Sequence, residues 1–386
     1  MKKSIITLCL YLAPFTLAIF ASSAVSAKSL PLNKLNLPEG FSISIFAEVE
    51  NARQMTLGPN GTIYVGSRKE GKVYALIDKD GDFSVETVIT IAEDLNLPSG
   101  VAMKDGNLYV GAVDQILLYK DIDAGLGSHP SPEIIIDSLP DKRHHGWKYL
   151  EFGPDGLLYI PVGAPCNICL SEAPFASILR TDVRAEKIEL ETFASGVRNT
   201  VGFDWHPLTK ELWFTDNGRD LMGDDIPPCE LNHAPKTGLH FGYPYVHGKD
   251  IRDPEFGSKE FGKDQDGKDL GLENYVAPAL ELDPHVAPLG MMFYSGNQFP
   301  ARYHNQILIP EHGSWNRTVE AGHTGHRIML ASFKENGQMD YEVFIDGWLQ
   351  DNKAWGRPVD IIQLPDGSIL ISDDTADVIY RVTYKM

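Results

Sequence analysis

The chain is 386 residues long, and its 34 Lys and Arg against 53 Asp and Glu give a formal charge of −19. Hydrophobic residues make up 43%, enough for a packed core, which excludes a disordered chain. With a pI near 5.0 and no Lys/Arg block, nucleic acid and anionic membrane surfaces are excluded as partners, because both need cationic patches. The 35 Gly and 25 Pro are spread evenly, which points to many short elements joined by tight turns.

The first element is a leader. Lys2 and Lys3 form a positive start, Ile5 to Phe20 is apolar, and Val25-Ser26-Ala27 supplies the small residues of a signal-peptidase site. Residues 1–27 therefore read as a secretory signal peptide. Pro14 interrupts the apolar run, which disfavours an uncleaved membrane anchor. The mature chain has no apolar run long enough to span a bilayer. A periplasmic or secreted location is expected, in a space that permits disulfides.

From there one phrase recurs: an apolar strand, a turn with Pro, Asp, Asn or Gly, then a second strand. Its copies start at Met55, Val101, Leu150, Phe203, Met291 and Asp360, the fifth being degenerate. Met55-Thr-Leu-Gly-Pro-Asn-Gly61-Thr-Ile-Tyr-Val65 and Leu150-Glu-Phe-Gly-Pro-Asp-Gly156-Leu-Leu-Tyr-Ile160 are the clearest. A spacing of roughly 45 to 55 residues with several strands per unit is that of a propeller blade. The prediction is an all-β chain forming a six-bladed β-propeller over residues 28–386, with 249–282 as a polar surface insertion. Phe41-Ser-Ile-Ser-Ile-Phe-Ala47 alternates cleanly and is expected to complete the last blade, which removes an open sheet edge. A pair of β-sandwiches is the alternative.

Cys9 leaves with the leader, and Cys166, Cys169 and Cys229 remain. Cys166-Asn-Ile-Cys169 suits a small loop disulfide; Leu170 stands where haem attachment needs His, and no second pair exists for zinc. Cys229 is either free or a partner of one of these two.

Candidate chemistry gathers where loops of several blades converge. His144-His145 precede the third blade, and imidazole titrates near neutrality. Arg198-Asn199 lead into the fourth blade, beside Thr215-Asp-Asn217-Gly218-Arg219-Asp220 and Gly223-Asp-Asp225. Such a pair can clamp an anionic, carbonyl-rich ligand, and the Asp and carbonyl groups suit Ca²⁺. Glu311-His-Gly-Ser-Trp-Asn-Arg317 and Trp355-Gly-Arg357-Pro-Val-Asp360 repeat the pattern in blades five and six. Asp78-Lys-Asp80-Gly-Asp82 alternates like an EF-hand, but Gly81 is out of place and Ile89 stands where the bidentate Glu belongs. No Gly-x-Ser-x-Gly, phosphate-loop or dinucleotide motif is present.

These residues carry a resemblance. His145-Gly-Trp-Lys148, Phe152-Gly-Pro-Asp-Gly156, Gly163-Ala-Pro-Cys-Asn-Ile-Cys169, Gly196-Val-Arg-Asn199, Trp213-Phe-Thr-Asp-Asn-Gly218, Glu230-Leu-Asn232, Phe241-Gly-Tyr-Pro244 and Glu311-His-Gly-Ser-Trp-Asn316 are similar to the glucose/sorbosone dehydrogenase family. The similarity runs from about residue 36 to 384 and is nearest to the sorbosone-dehydrogenase branch. It implies a six-bladed propeller and a calcium-dependent quinoprotein that oxidises an aldose or related sugar with pyrroloquinoline quinone (PQQ). It further implies an external electron acceptor, a quinone or cytochrome.

By the same resemblance, His145 is the catalytic base. Arg198 and Asn199 hold the cofactor and polarise its reacting carbonyl, Asn217 contacts the quinone, and Arg357 binds a carboxylate. Arg317 stands in for a fifth-blade Lys, and the carbonyls of Gly218 and Arg219 hold the Ca²⁺. The chain departs from the family pattern at Lys148-Tyr149, at Val359 in place of a second sixth-blade Arg, and at Cys229 in place of an acid. Two other readings stand beside this one: a Ca²⁺-dependent propeller hydrolase of the lactonase kind, and a non-catalytic glycan- or protein-binding propeller.

Overall fold

The computed structural model describes residues 29–385 except 128–129, 259–261, 264–265 and 271. The expected leader, residues 1–27, lies outside the described residues. Elsewhere the repeated turn does what its residues dictate. Gly58 N–H donates to Thr62 O at 2.8 Å, Gly153 N–H to Leu157 O at 2.9 Å, and Leu364 N–H to Ser368 O at 2.8 Å. Inside each turn a glycine takes a left-handed backbone: Gly61 at φ 85°, Gly156 at 79° and Gly367 at 85°.

Each turn joins the inner and second strands of a sheet built on four antiparallel strands; among the described residues there are six of these, five four-stranded and one, in blade three, with a fifth strand added in parallel. Blade one is Ala52–Leu57, Ile63–Ser67, Val73–Ile77 and Thr87–Ala92. Blade two is Gly100–Lys104, Asn107–Gly111, Ile116–Tyr119 and Glu133–Ile136. Blade three is Glu151–Phe152, Leu158–Val162, Ser177–Thr181 and Glu191–Ser195. Blade four is Phe203–Trp205, Leu212–Asp216, Pro228–Ala234 and Leu280–Pro284. Blade five is Met292–Phe293, Ile307–Glu311, Arg327–Phe333 and Met339–Ile345. Blade six is Pro358–Gln363, Ile369–Asp373 and Val378–Tyr384, completed by Phe41–Glu48. The fold is a six-bladed β-propeller.

The N-terminal strand closes the ring as the alternation predicts. It runs antiparallel to the last strand, with Phe41 opposite Tyr384 and Ile45 opposite Tyr380. The Phe41 ring meets Phe299, Phe344 and Tyr303 edge-on at 4.7, 5.1 and 5.4 Å. Closure leaves neither end of the ring with an unpaired edge.

The second strands of blades one, three, four, five and six are buried along their whole length. Each blade packs on both neighbours, so these strands read as continuous apolar runs rather than alternating ones. Segment 249–282 falls between the third and fourth strands of blade four. It contains Ile251–Arg252, paired with Val246–His247, and the short turn Leu272–Asn274; its last residues begin the strand Leu280–Pro284. Just before it, Leu239–His240 pairs in parallel with the outer strand of blade three.

Candidate active site

Two cavities open among the inner strands, and they share no lining residue. One, of about 370 Å³, is lined within the inner strands by Gln54, Tyr149, Glu151 and Asp204 among apolar side chains, with no Lys or Arg. Burial pushes Glu151 well above the carboxylate range, and Asp204 and Asp360 add to it. Burial raises Asp204 to about 6 and Asp360 to about 7. This cavity is neutral to acidic. The other, of about 340 Å³, is lined by the loops that enter the inner strands and leave the second strands. Its ionisable side chains are Arg53, Arg68, Arg198, Arg357, His145, His285 and His312, the Cys229 thiol, and a single carboxylate, Asp220. Six sequence candidates come together here: His145, Arg198, Asn199, Asn217, Gly218 and Arg357.

His145 sits at φ 50° in the turn before blade three. Its Nδ1 lies 3.0 Å from Ala164 O. A carbonyl only accepts, so Nδ1 carries the proton and Nε2 keeps a free lone pair. Burial, then the charge of Arg198, then His144, hold the imidazole well below its usual pKa. It is therefore a neutral base at pH 7. Gly163 makes room for it: a Cβ there would lie 2.6 Å from His145 Cβ and 2.7 Å from His145 O. Lys148 props the same turn, its Nζ donating to Gly146 O at 2.7 Å. Burial lowers that amine to about 7.

Arg198 and Asn199 are fixed through their backbone. Asp216, at the end of the second strand of blade four, accepts Arg198 N–H at 2.7 Å and Asn199 N–H at 2.6 Å. The Arg198 guanidinium is held by carbonyl oxygens: Nε donates to Asn167 O at 2.8 Å, Nη1 to Asn217 O at 3.1 Å and Nη2 to Asn167 Oδ1 at 2.8 Å. Asp220 Oδ2 stands 3.5 Å from Nη2. Asn217 Nδ2 donates to Asn199 O at 2.8 Å and Pro288 O at 3.2 Å.

Arg357 is oriented the same way, its Nε donating to His312 O at 2.9 Å and its Nη2 to Gly313 O. His312 Nε2 meets Asp374 Oδ1 at 2.8 Å, and Asp374 Oδ2 meets Arg53 Nη1 at 2.9 Å. Burial opposes ionisation of Asp374, but His312 and Arg53 override it and hold the carboxyl far below its usual range. Burial lowers His312 to about 4.

Arg53 and Arg68 are cavity residues that motif reading misses. The Arg68 guanidinium lies 4.7 Å over the Trp147 ring, a cation–π contact. For Arg68 the signal is register. Arg68 directly follows the second strand of its blade, as Asn217, His312 and Asp374 follow theirs. Arg53 is the second residue of its inner strand, Ala52–Leu57, whereas Arg198 and Arg357 precede theirs, so no register marks it. Trp315 also lines the cavity and is 70% exposed.

Two expected residues are not brought to the lining. Arg317 donates through Nε to Gly322 O at 2.7 Å and through Nη1 to Asp224 O, so its guanidinium serves a neighbouring loop. The Arg219 side chain turns to Asp253 and to Glu255. Cys166 and Cys169 form a disulfide, and Cys229 is free and buried. Burial pushes the Cys229 thiol up to about 12. Among the described residues, the carboxylates that converge are Asp78, Asp80, Asp82 and Glu86 on blade one. These accept nearby backbone N–H groups, as Asp78 Oδ1 does from Gly81 at 2.9 Å. Among the described residues no helix is long and apolar enough to cross a membrane.

The family model described as TrAA12-like matches residues 35–384. An uncharacterized protein of Borreliella burgdorferi is 35% identical over 384 residues, covering 96% of both chains. The uncharacterized protein slr1608 of Synechocystis is 26% identical over 267 residues, 68% of this chain and 51% of that one. The calcium structure of the Trichoderma reesei family AA12 protein superposes with a TM-score of 0.75 at 19% identity, covering 91% of this chain and 97% of that one. The holo PQQ domain of Coprinopsis cinerea pyranose dehydrogenase gives 0.71 at 17% identity, covering 90% and 97%. The PQQ-bound aldose sugar dehydrogenase of Streptomyces coelicolor gives 0.60 at 17% identity, covering 91% and 100%.

Proposed function

The chain belongs to the TrAA12-like family, and from that premise and the chemistry of the arginine-lined cavity we propose a quinoprotein oxidoreductase that oxidises an aldose or related, sorbosone-like sugar. PQQ is the cofactor and Ca²⁺ assists it. The observation that carries this reading is a neutral His145, with Nδ1 on Ala164 O, in one cavity with four arginines and a single carboxylate. PQQ is a planar tricarboxylate. The four guanidinium groups suit its carboxylates, and Trp147 and Trp315 offer flat faces beside them. The carbonyls of Gly218 and Arg219 are of the type a Ca²⁺ ion takes. Solved structures with this fold include PQQ-bound and calcium-containing proteins.

When bound, the quinone supplies the hydride acceptor, and the metal makes it a stronger one. His145 Nε2 takes the proton of the sugar hydroxyl as the C–H hydrogen of the same carbon leaves with its electron pair. That leaves a C=O on the sugar and a proton on Nε2. Arg198, Asn199 and Asn217 would orient the cofactor, and Arg53, Arg68 and Arg357 would offer guanidinium groups to its carboxylates. A separate quinone or cytochrome would be the external electron acceptor. The leader reading places the enzyme in the periplasm or outside the cell.

Titration of purified apoprotein with PQQ and Ca²⁺, followed by dye reduction over a panel of aldoses, tests this. Tight quinone binding and sugar-dependent reduction are expected. His145→Gln is expected to keep the affinity and lose at least 10²-fold in turnover, the usual worth of a general base. An apoprotein that binds no quinone and reduces no dye refutes the proposal.

A further inference from the structure

The disulfide between Cys166 and Cys169 lies in the loop between the second and third strands of blade three. Its ring encloses two residues, Asn167 and Ile168. Asn167 spends its carbonyl and both side-chain polar atoms on two residues of blade four. Asn167 O accepts Arg198 Nε at 2.8 Å, and Asn167 Oδ1 accepts Arg198 Nη2 at 2.8 Å. The same Oδ1 accepts Asp220 N–H at 2.8 Å, and Nδ2 donates to Asp220 O at 3.0 Å. The ring is anchored from outside by Tyr243, whose hydroxyl accepts Cys169 N–H at 3.0 Å and touches Cys166 Sγ at 3.4 Å.

A planar guanidinium gripped along one edge, through Nε and Nη2, needs both acceptors fixed relative to each other. Here one acceptor is a main-chain carbonyl and the other a side-chain oxygen of the same residue. Their relation depends on the backbone angles of residue 167, and the ring restricts those angles. Without the cross-link the segment regains conformers in which the two oxygens no longer converge.

We propose that Asn167 is a positioning residue for Arg198, and that the Cys166–Cys169 bond is what makes it one, so that the site is redox-sensitive. This rests on reading the cavity as the cofactor site. A dithiol delivers two electrons and two protons, becomes a cyclic disulfide and leaves two cysteine thiols. The propeller stays folded, because the loop lies outside the blade strands. Arg198, 4% exposed in the oxidised protein, loses two of its carbonyl partners.

The test uses the whole protein and two readouts. Phenylglyoxal modification of Arg198, followed by peptide mass spectrometry, needs no cofactor. PQQ affinity is measured by quenching of tryptophan fluorescence. On reduction of the wild type, confirmed by two new titratable thiols and an unchanged circular dichroism spectrum, labelling of Arg198 is expected to rise severalfold. PQQ affinity is expected to fall about tenfold, the worth of one hydrogen bond to a charged group. Oxidised Asn167→Ala, which loses Oδ1 but keeps the main-chain carbonyl that accepts Arg198 Nε, is expected to fall between the oxidised and the reduced wild type, and reduction is expected to carry it the rest of the way. Labelling and affinity that do not change when the thiols appear overturn the proposal, as does an oxidised Asn167→Ala variant that labels and binds like the oxidised wild type. If the wild type binds no quinone, the functional reading fails, and the labelling still decides whether the ring holds Arg198.

Discussion

Gly163→Ala is a one-methyl test of whether His145 is the working base. The new Cβ would stand 2.6 Å from His145 Cβ, 2.7 Å from His145 O and 3.4 Å from Arg198 O. Ordinary contact for such atoms begins near 3.4 Å, so the His145 turn must retreat by roughly 1 Å. None of the three atoms is the end of a flexible chain, so the strain cannot be shed by a rotamer change. Overpacking of this kind costs about 1–3 kcal/mol. With an unfolding entropy of about 2.1 cal/mol/K per residue over roughly 350 ordered residues, Tm falls by about 1–4 °C. The kinetic effect is larger. A reacting group misplaced by about 1 Å loses on the order of 10²-fold in rate. PQQ affinity, carried by arginines on other blades, stays within a few-fold. Calorimetry, quinone titration and steady-state kinetics on one preparation separate the three. Gly127→Ala, where a Cβ meets nothing within 4 Å, is the neutral control. Wild-type kcat in Gly163→Ala, with an unchanged Tm, would refute the reasoning.

Arg68→Ala removes a guanidinium from the cavity while leaving the blade strands intact; PQQ affinity should weaken about tenfold, read by titration, with Tm within about 1 °C. Asp216→Asn leaves one of the Arg198 and Asn199 N–H groups facing an amide NH₂ in the interior, at about 1–3 kcal/mol; urea melts should show the loss, and quinone affinity should fall with it. Lys148 has its amine lowered by burial to about 7 from 10.5. The unfolded chain thus binds the extra proton between those values, and the stability deficit from this group, full below about 7, disappears as pH rises to about 10.5. Lys148→Met should therefore lose its advantage over wild type between pH 7 and 9.5 in paired urea melts; a difference independent of pH would exclude a buried amine of that kind.

The blades were legible because their turn is local chemistry repeated: Gly58, Gly153 and Leu364 make the same backbone bond in three blades. The closing strand was legible for a related reason, since alternation from Phe41 marks one wet and one dry face. In the site, His145, Arg198 and Arg357 stand in phrases dense with polar residues, and they do meet. Arg53 stands inside an ordinary strand, and Arg68 becomes visible only when the ends of the second strands are superposed in register. Arg317 failed in the opposite direction. It follows Trp315 and Asn316, which line the cavity, but sequence adjacency in a loop does not set side-chain direction, and carbonyls at residues 322 and 224 claim its guanidinium. Asn167 was hidden because a short Cys pair reads as a structural clip, and nothing in the spacing says which way the enclosed residue faces.

The electrostatics of the cavity explain how an acidic protein can select an anion. The whole chain carries −19, yet four arginines line one cavity with a single aspartate. Had each arginine been matched by a carboxylate, the cavity would be neutral and rigid but indifferent to anions. Instead Arg198 and Arg357 are oriented mainly by carbonyl oxygens, and Arg68 lies over an indole face. Carbonyls and rings fix direction without cancelling charge. Arg53 is paired with Asp374 at 2.9 Å, which is itself shared with His312, and Arg198 stands more loosely against Asp220 at 3.5 Å. Within the lining itself arginines outnumber carboxylates four to one, with Asp216, Asp373 and Asp374 set behind them, and the charges act where the dielectric is lower than in water. The acidic exterior works on a different scale. Its repulsion is screened beyond about 8 Å at physiological salt, so it disfavours extended polyanions that must lie along the surface. A compact tricarboxylate that enters the cavity escapes most of it. The arrangement thus discriminates by size as well as by charge, which is what a site for a small, multiply charged cofactor and a neutral sugar requires.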